Sequence, residues 1–196
     1  MTTNSTTDML GRVLDDLSTM VGTISEEQLT KPTPCRDYDV AALRDHIVGW
    51  LETFATGLSD DDGRAPAQPS AVTPTTAENA AQMRDAAARI ADAVGRGAAD
   101  RPLHLGESSV PGEMALSMIL FEYVVHGWDL ATATGGSWTP ADDAVQAALD
   151  FAPGMIPDSA RGADKSFAAV VEVPAGAPLL DRLVGVAGRD PAWSAS

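Results

Sequence analysis

The apolar positions of the chain recur at helical spacing. In residues 8–20, Leu10, Val13, Leu14 and Leu17 fall at three- and four-residue steps and predict a first amphipathic helix. Lys31-Pro32-Thr33-Pro34-Cys35 interrupts the pattern, because each proline drives the residue before it toward extended geometry. Asp39 then offers an N-cap carboxylate for a second helix over residues 40–58. A third, Ala-rich and Pro-free helix is predicted over 77–94, with Met83, Ala87, Ile90 and Val94 on one side. The most apolar stretch, 114–134, predicts a fourth helix buried nearly all round and stopped by Gly135-Gly136, where a left-handed cap is usual. Thr139-Pro140 leads into a shorter helix over 141–151 with proline in its first turn.

The remaining segments predict accessories. Residues 59–76, with Asp60-Asp61-Asp62-Gly63 and Pro66, Pro69 and Pro74, read as an exposed loop. Residues 160–196 read as an irregular tail with one short strand at 167–173 and a last helical piece at 179–186. Four long helices without alternating strands predict an all-α bundle, a single domain over 1–196.

Composition and charge narrow the function. The chain has 196 residues, enough to bury a core without disulfide or metal staples. With 28 acidic against 13 basic side chains its net charge is −15, so a phosphate backbone or an anionic leaflet would repel it. No nucleic acid or membrane partner is expected. The polar start, Met1-Thr2-Thr3-Asn4-Ser5, lacks the pattern of an export signal, and the single Cys35 cannot form an internal disulfide. A cytoplasmic monomer or homodimer is expected.

Helical rotation singles out the residues that can carry chemistry. In the second helix Ala42, Leu43, His46, Gly49, Trp50 and Thr53 share one stripe, which points His46 inward, while Arg44, Val48, Leu51 and Glu52 fall on the opposite side. In the fourth, Glu122, His126 and Asp129 stand at i, i+4 and i+7 on one narrow face. Burying a carboxylate and two imidazoles among apolar neighbours costs several kcal/mol unless each finds a strong partner. A divalent cation is one such partner, because two histidines and a carboxylate bind transition metals and leave a coordination position open. A buried His–Glu pair with His46 unrelated, or a salt-bridged helix face, would produce the same spacing.

Asp129 can orient a histidine through its second ring nitrogen or pair with an arginine. His104 reads as a loop histidine and a reserve ligand. Cys35 precedes a helix start, where a dipole can activate a thiol, but a lone cysteine is more often a small packed hydrophobe. Trp50, Trp128, Trp138 and Trp193 read as core or lid aromatics. The sequence has no phosphate-binding glycine loop, nucleophile elbow or Cys-x-x-Cys pair.

Several of these residues carry a family resemblance. Thr33-Pro34-Cys35, Asp45-His46-Ile47-Val48-Gly49-Trp50, the run from Glu122 to Ala131, and the tail from Asp181 to Pro191 resemble the DinB-like metal-binding proteins. The nearest branch is similar to the N-terminal domain of mycothiol-dependent maleylpyruvate isomerase. That resemblance implies an up-down four-helix bundle holding a divalent metal through His46, Glu122 and His126. Zinc is the first choice, with nickel, iron or manganese also compatible.

It further implies a transferase or isomerase in which a thiol of the mycothiol type, activated at the metal, meets an electrophilic substrate. The isomerase's separate C-terminal domain supplies a catalytic arginine that the short tail here does not visibly match, so maleylpyruvate itself is not expected. Arg182 or Arg189 could serve an anion. Two alternatives use the same ligands: a non-catalytic, metal-stabilised binding module, and a non-haem iron oxygenase.

Overall fold

The computed structural model describes residues 3–162, 165 and 167–195. Met1 and Thr2 of the polar start, and Ala163, Asp164, Ser166 and Ser196 of the tail, lie outside the described residues. Four long helices form where the periodicity places them: α1 (Thr3–Gly22), α2 (Val40–Ser59), α3 (Thr76–Gly95) and α4 (Gly112–Thr134). Their ends follow from capping chemistry. The Asp39 carboxylate accepts from the Ala42 amide at 2.8 Å, and Thr75 with Glu78 makes a reciprocal capping box at the start of α3. Gly135 closes α4 at φ +75°, a conformation glycine adopts without a Cβ penalty.

Packing order explains the connections. α3 lies against both α1 and α2, and α4 closes the ring by touching α1 and α2. The helices therefore run around the bundle as α1–α3–α2–α4, which sets α1 diagonal to α2 and α3 diagonal to α4. Diagonal steps need long crossovers rather than tight turns. The first crossover carries Pro32 to Asp39; the second carries a small hairpin.

That hairpin joins β2 (Leu103–Leu105) and β3 (Ser108–Val110) in antiparallel register, and β1 (Arg64–Ala65) adds in parallel beside β2. The 59–76 connection is thus largely exposed but pinned, with the Ser70 amide also donating to the Gly49 carbonyl at 3.1 Å.

The C-terminal third departs in detail from the sequence reading. α5 (Asp142–Met155) is capped by Ala141, so Pro140 stands before the helix instead of in its first turn, and Pro153 is accommodated near its end. Among the described residues, segment 167–173 forms no strand ladder. Its backbone contacts include an isolated Arg161–Phe167 bridge and the Val171 amide donating to the Gly185 carbonyl at the end of α6 (Leu179–Val186).

The core is continuous. Leu14, Leu17, Leu43, Ile47, Leu51, Met83, Ile119 and Val124 are all but inaccessible, each worth about 1.5–3 kcal/mol of burial. α4 is buried on nearly every face, as its composition requires. The side of α2 bearing Arg44, Val48 and Leu51 is buried too, since α3 packs against this helix as well. Trp138 lies on Gly127 of α4, where an added Cβ would come within 2.3 Å of the indole, and its Nε1 donates to the Val124 carbonyl.

Candidate metal centre

His46 on α2 and Glu122 and His126 on α4 meet where the two helices touch. One ligating atom from each lies within 4.8 Å of the others. The two imidazoles stand edge to face, centroids 5.1 Å apart at 75°. His126 Nε2 is 3.2 Å from Glu122 Oε2, the one-turn neighbour that i, i+4 spacing creates.

Each histidine is oriented through its other nitrogen. His126 Nδ1 lies 3.0 Å from Asp129 Oδ2. Asp129, fully buried, is in turn gripped by the Arg189 guanidinium, Nη2 to Oδ2 at 2.9 Å and Nε to Oδ1 at 3.2 Å. Arg189 completes its own coordination by donating from Nη1 to the Ala187 carbonyl at 2.8 Å. Asp129 thus contacts the His126 ring on one side and the Arg189 guanidinium on the other. His46 Nδ1 is 3.1 Å from Tyr38 Oη, which leaves Nε2 as the nitrogen His46 can offer to the cluster. Tyr38 is placed by the turn before α2, where Thr33 Oγ1 donates to the carbonyls of Cys35 and Tyr38.

The protonation pattern follows from these partners. Burial opposes a charge on His126, but hydrogen bonds to Asp129 and Glu122 overcome it and push its pKa up to about 9. Burial and the neighbouring His126 charge push His46 down to about 4, so it is neutral at pH 7. Burial would raise Glu122 and Asp129. The His126 contact outweighs it at Glu122, and Arg189 with His126 outweighs it at Asp129, so both carboxylates stay ionised.

The other residues singled out from sequence fall as follows. Cys35 lines a cavity shared with the cluster, and burial pushes its thiol pKa up against the pull of Arg189, so it rests protonated. His104 sits on β2, paired with Ser109 and Arg64, and does not join the cluster. Arg189 reaches the site and Arg182 is not among the residues lining its cavities. Trp50 borders the site; Trp138 is a core residue. Sequence reading left Tyr38 out. The signal was its place directly before the Asp39 cap, which returns it over the first turns of α2.

Fold and site together define a helical bundle with a His–Glu–His cluster between facing helices. The chain belongs to the mycothiol maleylpyruvate isomerase N-terminal domain family, whose model matches residues 10–131. It is also 29% identical, over 182 residues, to two uncharacterized proteins of Mycobacterium tuberculosis, one from strain CDC 1551 / Oshkosh and one from strain ATCC 25618 / H37Rv. These alignments cover 91% of this chain and 94% of each relative. No solved structure matches. The matched range spans His46, Glu122, His126 and Asp129, and Arg189 lies beyond it. Among the described residues no helix is long and apolar enough to cross a membrane.

Proposed function

We propose that this protein is a metal-dependent transferase or isomerase that joins a low-molecular-weight thiol of the mycothiol type to an electrophilic substrate. The observation that supports it most is the convergence of three ligating atoms within 4.8 Å, with both histidines already oriented through their second nitrogens. This donor set fits a divalent cation: two neutral-capable imidazoles and an ionised carboxylate accept zinc, nickel, iron or manganese. His46, Glu122 and His126 would hold it, and a cation there would leave a position at which a bound thiol loses its proton near neutral pH.

The chain's own groups do the positioning. Arg189 fixes Asp129, Asp129 fixes the His126 ring, and Tyr38 fixes the His46 ring. Cys35, a resting thiol in the adjoining cavity, is a wall residue in this reading and not the nucleophile. A cytoplasmic site of action fits a chain whose single cysteine is free.

The test is calorimetric metal titration followed by thermal shift with mycothiol on the loaded protein. One metal per chain is expected, lost in His126→Ala with the helical spectrum intact. A thiol at a hundred times its dissociation constant should then stabilise by about 2.7 kcal/mol. No metal uptake, or no thiol response in the loaded protein, would overturn the reading.

A further inference from the structure

His46 takes part in a hydrogen bond whose direction a bound cation dictates. Its Nδ1 is 3.1 Å from Tyr38 Oη, and the two rings lie tilted at 38° with centroids 5.0 Å apart. A neutral imidazole carries a single N–H and the phenol a single O–H, so either can donate to the other. His126 has no such choice, because its partner Asp129 is an ionised carboxylate and only accepts.

While the His46 proton is on Nε2, Tyr38 donates to Nδ1 and its own proton is engaged there. A cation at Nε2 leaves Nδ1 as the place for the imidazole proton. Nδ1–H then donates to the Tyr38 oxygen, and the phenol proton must turn to another acceptor. Among the described residues the hydroxyl has no second hydrogen-bond partner. The backbone holds the ring in place meanwhile: the Tyr38 amide donates to the Cys35 carbonyl at 2.9 Å, and its carbonyl accepts from Thr33 Oγ1 at 2.8 Å.

The released proton borders a cavity. Tyr38 lines a space of about 450 Å³ together with His46, Glu122 and His126. Neither carboxylate of that space, Asp37 or Glu122, is hydrogen-bonded to the phenol. The other polar groups compete weakly for an incoming acceptor. Cys35 is a protonated thiol and a weak donor, while Arg189 spends Nε and Nη2 on Asp129 and Nη1 on the Ala187 carbonyl.

We propose that Tyr38 is a ligand-binding residue switched on by the metal: with His46 Nε2 occupied, its hydroxyl donates to a carbonyl oxygen of the thiol, a few bonds from the sulfur. Cysteine-derived thiols carry amide carbonyls in that position, and simple alkanethiols do not. Because the phenol is hydrogen-bonded to a ligand ring, an oxygen tethered to the sulfur reaches it at high effective concentration. Tyr38 thereby selects between thiols besides supporting His46. This deepens the function proposed above and rests on it.

A ligand-by-residue cycle on the zinc-saturated full chain tests this, with N-acetylcysteamine, which has an amide carbonyl, and pentanethiol, which has the same chain length and none. Calorimetry should show the ratio of the two affinities shifting about fivefold toward pentanethiol in Tyr38→Phe, the size of one neutral hydrogen bond. A residue that only supports His46 would weaken both thiols by the same factor, so a shift below about twofold overturns the proposal. A second measurement needs no change at Tyr38. Nitrogen NMR of histidine-labelled wild type, with His46 assigned from the His46→Gln spectrum, should show its Nδ1 protonated after zinc loading. An unprotonated Nδ1 overturns the proposal even where both thiols bind. Failure of the functional reading looks different: zinc is not taken up, or neither thiol binds the zinc-loaded wild type, and the proposal falls with it.

Discussion

His46 and His126 face each other across one cluster, yet the chain holds them in opposite ways. His126 is buried in the middle of the most enclosed helix and tied to Asp129, which Arg189 holds through two hydrogen bonds. His46 is half buried, two turns into α2, and its Nδ1 meets the neutral Tyr38 hydroxyl from the turn that follows Pro34. The consequence is electrostatic. Two imidazolium ions with centroids 5.1 Å apart would repel, so the site holds one proton, and the arm with carboxylates takes it. Without a cation, protonated His126 supplies the positive charge that Glu122 and Asp129 call for. The contrast shows that ligand identity alone does not describe such a site: the groups behind each ligand decide which gives up a proton when a metal enters.

The largest effect should come from removing the end of the buried arm. Arg189→Met leaves Asp129 sealed from water with His126 as its remaining charged neighbour. Breaking a buried ion pair by deleting one partner costs about 3–5 kcal/mol. Urea unfolding of the metal-free protein should show that loss, and Arg189→Lys should restore little of it, because a point charge cannot reproduce the guanidinium fork. A loss below about 1 kcal/mol would mean that the tail does not seal the pair.

Next in size is the pH dependence, where the two histidines should act with opposite sign. His126 has a folded pKa of about 9, above the ordinary 6.5, so its contribution is complete below about 6.5 and is lost as pH rises through about 9. His46 has a folded pKa of about 4, below 6.5, so its contribution is present above about 6.5 and is lost as pH falls toward 4. Glu122 and Asp129, both lowered, add to the acid side as pH falls below the ordinary carboxylate range.

Metal-free stability should therefore peak near pH 6.5. Each limb should be worth on the order of 3 kcal/mol, since a tenfold change in proton affinity between the folded and unfolded chain corresponds to about 1.4 kcal/mol. Thermal melts of wild type minus His126→Gln isolate the alkaline limb. Metal loading should flatten it and release a proton, visible as a buffer-dependent heat of binding. A difference curve flat from pH 6 to 9 would remove the proton from His126.

How much of this was legible in the sequence depends on whether a contact is local. Glu122, His126 and Asp129 share a face because 3.6 residues make a turn, and the Asp39 cap fixes the rotation of His46; both can be read from spacing. Arg189 is 60 residues beyond Asp129, in a tail with no period, and any of several arginines could have neutralised that carboxylate. Tyr38 acts from an irregular turn. Rotation puts Arg44, Val48 and Leu51 opposite His46 but does not show that α3 buries them, because the ring order of the helices is a tertiary fact. β2 and β3 are three residues each, too short for alternation to register, whereas 167–173 has the composition of a strand and, among the described residues, makes only the single bridge at Phe167.

The smallest effect tests the weaker arm against the stronger. Tyr38→Phe removes one neutral, half-buried hydrogen bond, which contributes about 0.5–1.5 kcal/mol to stability. With a metal on Nε2, Nδ1 of His46 must carry the proton and donate to the Tyr38 oxygen, so the same change loosens the ring at the moment of binding. Outer partners of ligating histidines are typically worth about 10–100-fold in metal affinity. Asp129→Asn, which replaces a charged acceptor in a sealed site, should fall at the upper end of that range, and Tyr38→Phe at or below the lower end. Zinc competition titrations on the folded variants measure both. Equal losses would mean that the Tyr38 turn holds His46 as firmly as Asp129 and Arg189 hold His126, and the asymmetry between the two arms would then be electrostatic alone.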